Sequence, residues 1–260
     1  MRSRQLFFVV LFSICGFLEA EGPKDYLEAH RDNYLLFYSY DNEEHDERDV
    51  KSEATYQFSI RIPLHYDLFD LYFAYTQRAF WQVYDNDDTR PFREIDHAPE
   101  LFFDTNGSLI PVLSAQRLRF GYEHESNGEG LETTRAWNRL YGSAFYTTGA
   151  IAWEAKLWYW LKKRAKESPD DPNGDETPGI RNYYGNGELR AIYQIGDYRA
   201  AVMARNTLDT KTNRGALEIT LQGPMNNVDW YVLYWRGYGE SVGMYDALSE
   251  RIGFGIAFTR

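Results

Sequence analysis

The sequence predicts an all-β protein, a transmembrane antiparallel β-barrel of twelve strands. Three observations predict it: side chains alternate with period two over most of the chain, an export signal precedes the alternating part, and the only cysteine lies within that signal. Tyr, Phe and Trp make up 17% of the 260 residues, which excludes a disordered chain because such chains are poor in aromatic residues. The net charge of −11 and the lack of any basic block argue against nucleic-acid binding.

The first segment, residues 1–20, is predicted to be a secretory signal peptide. Arg2 and Arg4 precede an apolar run, and the small residue Ala20 marks the expected cleavage site. The lone cysteine, Cys15, follows Ile14 rather than a small residue, which argues against a lipoprotein. No run of 18 apolar residues occurs in the chain, so a helical membrane protein is excluded.

Residues 21–53 are predicted to form an N-terminal periplasmic extension outside the barrel. They are rich in charge, and they alternate only around residues 33–40. The barrel itself is expected over residues 54–260, where alternation becomes the dominant pattern.

Alternation after residue 53 is compatible with two fold classes, a soluble β-sandwich with one solvent-exposed face and a transmembrane barrel. In the strand near residues 54–62, Tyr56, Phe58 and Ile60 share one face, and Gln57 and Ser59 lie on the other. The polar faces of the strands carry Arg and Glu of matching opposite charge, and aromatic residues gather near strand ends, as a barrel with a polar interior requires. About ten to twelve runs can be counted, and since barrels usually have an even number of strands, twelve are predicted.

Three polar residues fall on faces that should meet lipid. His124 and Ser126 continue the apolar row of Tyr122, and Asn138 lies on the apolar face of the next strand. A hydroxyl and an imidazole facing hydrocarbon are costly unless they serve a purpose. The pattern favours a catalytic triad in which His124 activates Ser126 and Asn138 orients the imidazole. A His-x-Ser pair also arises often by chance, and the other histidines, His97 among them, are interpreted as loop or girdle residues without a role.

The segments around these residues resemble the outer-membrane phospholipase A family. The resemblance is carried by YEHESNG at 122–128 and TRAWNRLY at 134–141, and it extends over nearly all of the mature chain. Shorter matching pieces lie at 32–35, 75–77, 81–82, 91–94, 99–102, 158–159 and 237–241. The resemblance implies a twelve-stranded barrel in the outer membrane, dependence on Ca2+, and activation by formation of a homodimer. It also implies hydrolysis of acyl esters of phospholipids and lysophospholipids, the A1 and A2 activities.

The resemblance assigns roles residue by residue. Ser126 falls on the nucleophile, His124 on the base and Asn138 on the third member, and the backbone N–H of Gly128 falls on the oxyanion donor. The calcium ligands fall on the carbonyls of Thr89 and Glu129 and on the hydroxyl of Thr134. Family members often have Ser at the last position and a basic residue where this chain has Glu129. They also typically end in an aromatic residue, whereas this chain ends in Thr-Arg, which puts its recognition by the insertion machinery in doubt.

Gln77 is predicted to lie in a dimer interface. It interrupts an outward apolar row that includes Phe73 and Tyr75, where an unpaired amide would be costly. Two such amides meeting across a two-fold axis could satisfy each other, and the resemblance places an interface residue at this position. The alternative is that Gln77 lies at the aqueous rim, with Trp81 marking the aromatic girdle.

Two other functions remain open at this point. One is a non-enzymatic pore or structural barrel, which requires only alternation and leaves the three polar residues without an explanation. The other is a hydrolase of another class, such as a lipid A deacylase or another esterase.

Overall fold

The computed structural model describes residues 27–43, 51–64, 70–86, 91–130, 133–161, 163–168, 171 and 173–258. The predicted signal peptide and the predicted calcium ligand Thr89 lie outside the described residues. All other predicted site residues lie within them.

Thirteen strands in one antiparallel sheet make up most of the described chain. The strands are β1 (Glu28–Ala29), β2 (Tyr34–Asp41), β3 (Ser52–Pro63), β4 (Asp70–Trp81), β5 (Phe92–Asn106), β6 (Arg117–Ser126), β7 (Ala136–Thr148), β8 (Ile151–Trp160), β9 (Gly187–Ile195), β10 (Tyr198–Asn206), β11 (Gly215–Met225), β12 (Val228–Tyr238) and β13 (Leu248–Ala257). The helical pieces are two 3-10 turns, Gly107–Leu109 and Pro111–Leu113, and the short helix α1 (Arg181–Tyr184). None of the helices within the described ranges has the length and apolar character needed to traverse a bilayer.

The sheet closes into a barrel because its first long strand meets its last. Strand β2 pairs with β13 on one side and with β3 on the other, and β3 pairs with β4. Each remaining strand pairs with its neighbours in sequence, so the described residues form a closed antiparallel barrel of twelve strands, β2 to β13. The two-residue strand β1 pairs with Arg61 and Ile60 of β3. The predicted all-β, twelve-stranded fold is confirmed.

The boundary predicted between extension and barrel at residues 53 and 54 is wrong. Residues 34–41 form β2, which closes the barrel, and only the segment before them lies outside its wall. Their alternating run is eight residues long and is flanked by charged residues, so it was too short to stand out from the flanking sequence. Arg31, just before β2, donates to Glu100 and Glu123, with Nη2 to carboxylate distances of 2.6 and 2.8 Å. The segment therefore reaches into the barrel interior.

The two ends of the barrel differ in the length of their connections. At one end, two-residue turns join β7 to β8 and β9 to β10, with Gly149 and Gly196 supplying the positive φ of +60° and +56° that these turns need, and the exception is the connection 107–116 between β5 and β6. At the other end the connections are longer and include residues 127–135, 161–186 and 239–247. In outer-membrane barrels the short turns face the periplasm and the long loops face outward. The end of β6 and the start of β7 lie at the long-loop end.

The interior of the barrel holds aromatic side chains and ion pairs. One cluster near the long-loop end joins Trp137 and Trp158 to Tyr184 of α1 and to Val242 and Tyr245. Burial raises the pKa of Tyr245 to about 12, so the phenol stays protonated. Its hydroxyl donates to the carbonyl of Pro178 across 3.0 Å, which ties two of the long loops together.

Candidate active site

The predicted base and its orienting residue face each other across β6 and β7. His124 and Asn138 are register partners, and His124 Nδ1 lies 2.9 Å from Asn138 Oδ1. An amide oxygen can only accept a hydrogen bond, so Nδ1 carries the proton and donates it. The other ring nitrogen, Nε2, is then left with a free lone pair, which is the form that a general base requires.

A further residue at this contact is Tyr122, which the sequence reasoning did not assign. Its hydroxyl donates to the same Asn138 oxygen. Tyr122 lies two residues before His124 and therefore on the same outward face of β6. This two-residue spacing from His124 is the sequence signal that could have identified Tyr122. With two donors on one oxygen, the amide of Asn138 is fixed in orientation.

The predicted nucleophile lies one outward position beyond His124. Ser126 is the last residue of β6, and its register partners are Ala136 on β7 and His97 on β5. Its side chain is half-buried, and it makes no hydrogen bond to His124 among the contacts of the described residues. The Asn–His half of the predicted triad is thus formed, and the His–Ser half is not. Catalytic hydrogen bonds often tighten only when substrate is bound.

The loop after β6 is organised by Asn127, another residue that the sequence reasoning did not single out. Its side-chain amide donates to the Thr133 carbonyl across 3.1 Å, and its oxygen accepts from the Arg135 N–H across 2.9 Å. These bonds hold the loop closed beneath Gly128, which has a φ of +64°. An added Cβ at Gly128 would lie 3.3 Å from both Cδ2 and Nε2 of His97. The backbone conformation at the predicted oxyanion donor therefore favours glycine, and a larger residue would crowd the His97 ring.

Two of the three predicted calcium ligands lie in this same loop. Glu129 and Thr134 are brought close by a hydrogen bond from the Thr134 N–H to the Gly130 carbonyl, across 2.7 Å. The Thr134 hydroxyl makes no hydrogen bond to another described residue and is free to bind an ion. Within the part of the chain that the structure describes, no group of three His, Cys, Asp or Glu could hold a metal. The predicted set relies instead on carbonyl and hydroxyl oxygens, which are the ligands that a hard cation such as Ca2+ prefers.

Gln77 lies on the outward face of β4, but its amide is not unpaired as the sequence reasoning assumed. Its nitrogen donates to the Tyr56 hydroxyl across 3.1 Å, and its oxygen lies 3.4 Å from the Tyr75 hydroxyl oxygen. The amide nitrogen thus has a partner within the chain, so the assumption that both its donors and its acceptor are unpaired does not hold. Its place in an interface stays a prediction.

Behind the outward-facing site, on the inward face, lies a fully buried carboxylate. Glu123 immediately precedes His124, and its oxygens lie 2.7 Å from Arg139 Nη2, 3.0 Å from Lys156 Nζ and 2.8 Å from Arg31 Nη2. Arg139 immediately follows Asn138 on β7. Ion pairs on the inner face thus join the two strands that carry the outer His–Asn contact.

Known bacterial proteins are similar in sequence to this chain over most of its length. Residues 19–258 match the family described as phospholipase A1. The phospholipase A1 of Proteus vulgaris is 32% identical over 213 residues, covering 79% of this chain and 69% of that protein. The phospholipase A1 of Escherichia coli strain K12 is 32% identical over 212 residues, with the same coverage of 79% and 69%.

Solved structures show the same similarity. Outer membrane phospholipase A from Escherichia coli superposes with a TM-score of 0.76 at 27% identity, covering 89% of this chain and 97% of that one. A Salmonella typhi outer membrane phospholipase, described as a dimer with bound calcium, superposes with a TM-score of 0.77 at 28% identity. That match covers 94% of this chain and 96% of the other.

Proposed function

The chain belongs to the phospholipase A1 family, as an outer-membrane β-barrel, and from that premise we propose that it hydrolyses acyl ester bonds of phospholipids and lysophospholipids. The observation that carries the proposal is the 2.9 Å contact between His124 and Asn138 on the outward face, one position from Ser126. An imidazole, an amide and a hydroxyl aligned on a lipid-facing surface have no structural purpose there, whereas the ester bonds of membrane lipids are within their reach.

The reaction is an acyl transfer through the serine. Ser126 Oγ attacks the ester carbonyl carbon as His124 Nε2 takes its proton, and the negative charge that develops on the carbonyl oxygen is met by the Gly128 N–H. The intermediate collapses when His124 returns the proton to the departing alkoxide, and water then hydrolyses the acyl-serine by the same steps. Asn138 holds the imidazole in the required tautomer throughout.

Calcium is the proposed cofactor. The carbonyl of Glu129 and the hydroxyl of Thr134 would hold it beside Gly128, together with the Thr89 carbonyl of a second copy of the chain. When bound, the ion supplies positive charge that stabilises the developing oxyanion. The support is that every assigned ligand is an oxygen, together with the calcium described for the Salmonella typhi protein.

The active form is proposed to be a homodimer with Gln77 in the contact between barrels. The dimer described for the Salmonella typhi protein supports this state. Because one calcium ligand would come from the second copy, a monomer would have an incomplete site and little activity. Association in the membrane would then act as the switch for hydrolysis.

The test is fatty-acid release from a diacyl phospholipid in mixed micelles, with calcium and with a chelator. Wild-type protein should release fatty acid only with calcium, and Ser126→Ala should release none while keeping the heat-modifiable gel mobility of a folded barrel. Ser108→Ala, at the opposite end of the barrel, is the matched control and should keep full activity. Hydrolysis by Ser126→Ala at the wild-type rate would refute the nucleophile, and no release by wild-type protein would favour a non-enzymatic barrel.

A further inference from the structure

A second imidazole lies on the other side of Ser126. His97 of β5 is the register partner of Ser126, and both side chains belong to the outward faces of their strands. Residues directly opposed in an antiparallel pair have Cβ atoms about 4.5–5.5 Å apart. The Nε2 edge of the His97 ring also lies 3.3 Å from where a Cβ of Gly128 would be. His97 therefore borders both the proposed nucleophile and the proposed oxyanion donor.

The opposite ring nitrogen of His97 is held by Tyr75. The Tyr75 hydroxyl lies 2.6 Å from His97 Nδ1 and 3.4 Å from the oxygen of Gln77. A phenol has one proton, and the shorter contact takes it, because a phenol O–H is a stronger donor than an imidazole N–H and imidazole nitrogen is the better acceptor. His97 Nδ1 is then the acceptor, and the ring proton resides on Nε2, the atom that borders Gly128.

The two imidazoles beside Ser126 are thus set in opposite tautomers by their partners. Asn138 accepts from Nδ1 of His124 and leaves that Nε2 as a base. Tyr75 donates to Nδ1 of His97 and leaves that Nε2 as a hydrogen-bond donor. One ring can take the proton of Ser126, and the other presents a proton to a negatively charged oxygen.

His97 also ends a row of polar side chains in contact, and its Nε2–H lacks an acceptor there. The row runs across the outward face from Tyr56 through Gln77 and Tyr75 to His97. No described residue accepts a hydrogen bond from His97 Nε2. A donor left without an acceptor on a lipid-facing surface is costly, and an oxygen of a bound ester would remove that cost.

We propose that His97 is a further catalytic residue whose Nε2–H donates to the ester carbonyl oxygen as negative charge develops on it. The proposal rests on the proposed function, since it takes Ser126 as the nucleophile and Gly128 as the first oxyanion donor. The proton stays on Nε2, and no bond to His97 forms or breaks. A donor fixed in advance by Tyr75, on a surface poor in water, stabilises charge more than the same donor would in water.

The experiment compares kcat and KM of purified variants on a diacyl phospholipid in mixed micelles at saturating calcium. His97→Phe keeps a ring and removes the donor, and it should lower kcat by about 100-fold, the usual effect of losing one oxyanion donor, with little change in KM. His97→Gln keeps an N–H donor and should recover much of that loss. Tyr193→Phe, an outward tyrosine on β9, is the control and should behave as wild type.

Tyr75→Phe tests the tautomer directly. Without the phenol, the His97 proton is free to move to Nδ1, so kcat should fall, and the double variant with His97→Phe should be no slower than His97→Phe alone. This variant also keeps the proposal testable if His97→Phe fails to show the heat-modifiable mobility of a folded barrel.

Three outcomes would overturn the proposal while leaving the proposed function intact. The first is a wild-type kcat in folded His97→Phe. The second is an equal loss of kcat in His97→Phe and His97→Gln. The third is a loss in the Tyr75→Phe, His97→Phe double variant that equals the two single losses combined. In a fourth outcome, retained activity in His124→Ala together with complete loss in His97→Phe would make His97 the base and would overturn the donor role. An active Ser126→Ala variant would instead refute the proposed function itself.

Discussion

Asn138 Oδ1 receives hydrogen bonds from two residues of the facing strand, His124 Nδ1 and the Tyr122 hydroxyl. Both donors lie on the outward face of β6, at positions separated by two residues. The amide oxygen therefore orients the imidazole and does not contact substrate. Its removal should slow the reaction and not prevent it.

Asn138→Ala should lower turnover by about 100-fold or more without abolishing it, because the serine, the base and the oxyanion donor all remain. Tyr122→Phe keeps the amide and removes one of its two donors. Its expected loss is about fivefold, which corresponds to one ordinary hydrogen bond of about 1 kcal/mol. Initial rates of fatty-acid release measure both. A complete loss in Asn138→Ala would show that the amide has a second task.

Thr134→Ala should raise the calcium concentration needed for half-maximal activity by about tenfold, since it removes the only side-chain oxygen assigned to the ion. Thr133→Ala removes the neighbouring hydroxyl, which donates to the Glu129 carboxylate across 3.3 Å, and serves as the control. Calcium titrations of activity distinguish the two. Identical calcium curves for wild type and Thr134→Ala would place the ion elsewhere.

Gln77→Leu should weaken association of two barrels by about 1 kcal/mol, or about fivefold in the dimer dissociation constant, the usual worth of a polar contact within a membrane. Tyr56→Phe removes the group to which the Gln77 amide donates. It should leave dimerisation unchanged or strengthen it, because the freed amide can then donate across the interface. Cross-linking across protein-to-detergent ratios measures both, and equal association of wild type and Gln77→Leu would remove Gln77 from the interface.

Glu123→Gln should destabilise the barrel by about 3–5 kcal/mol, because it leaves Arg31, Arg139 and Lys156 without their shared buried carboxylate. The temperature of the heat-modifiable gel transition reports this change. Glu154→Gln on β8 is the matched control, with an expected effect within about 0.5 kcal/mol, as for a substitution outside a tightly packed network. If both variants unfold at the same transition temperature as wild type, the ion pairs contribute nothing to stability.

Much of the fold could be predicted because period-two alternation is a local property of the sequence. It indicates strands, their outward faces and an approximate count, and by itself it assigns His124, Ser126 and Asn138 to apolar faces. Strand β2 was missed because eight alternating residues between charged flanks carry little signal. Only closure of the sheet, with β2 between β3 and β13, shows that this segment is part of the wall.

Apart from His124 and Asn138, whose strands are joined by a single loop, cross-strand neighbours could not be predicted, since register depends on how each loop returns the chain. His97 is 29 residues before Ser126 in the sequence, yet the pairing of β5 with β6 makes them direct neighbours. The partners of Gln77 were hidden for the same reason, because Tyr56 lies on β3, a strand away from it. Tyr122 was within reach of the sequence reasoning, since it shares the outward row of His124.

The ion pairs inside the barrel also determine how the protein behaves towards an electric field. Arg31 joins Glu100 of β5 to Glu123 of β6, and Glu123 also binds Lys156 of β8, so fixed charges of both signs link the walls across the interior. A hydrated ion moving through would have to separate these pairs, and the voltage across a membrane supplies only about 2.3 kcal/mol per charge at 100 mV. We therefore expect the barrel not to conduct ions, so planar bilayers that contain it should show no stepwise current.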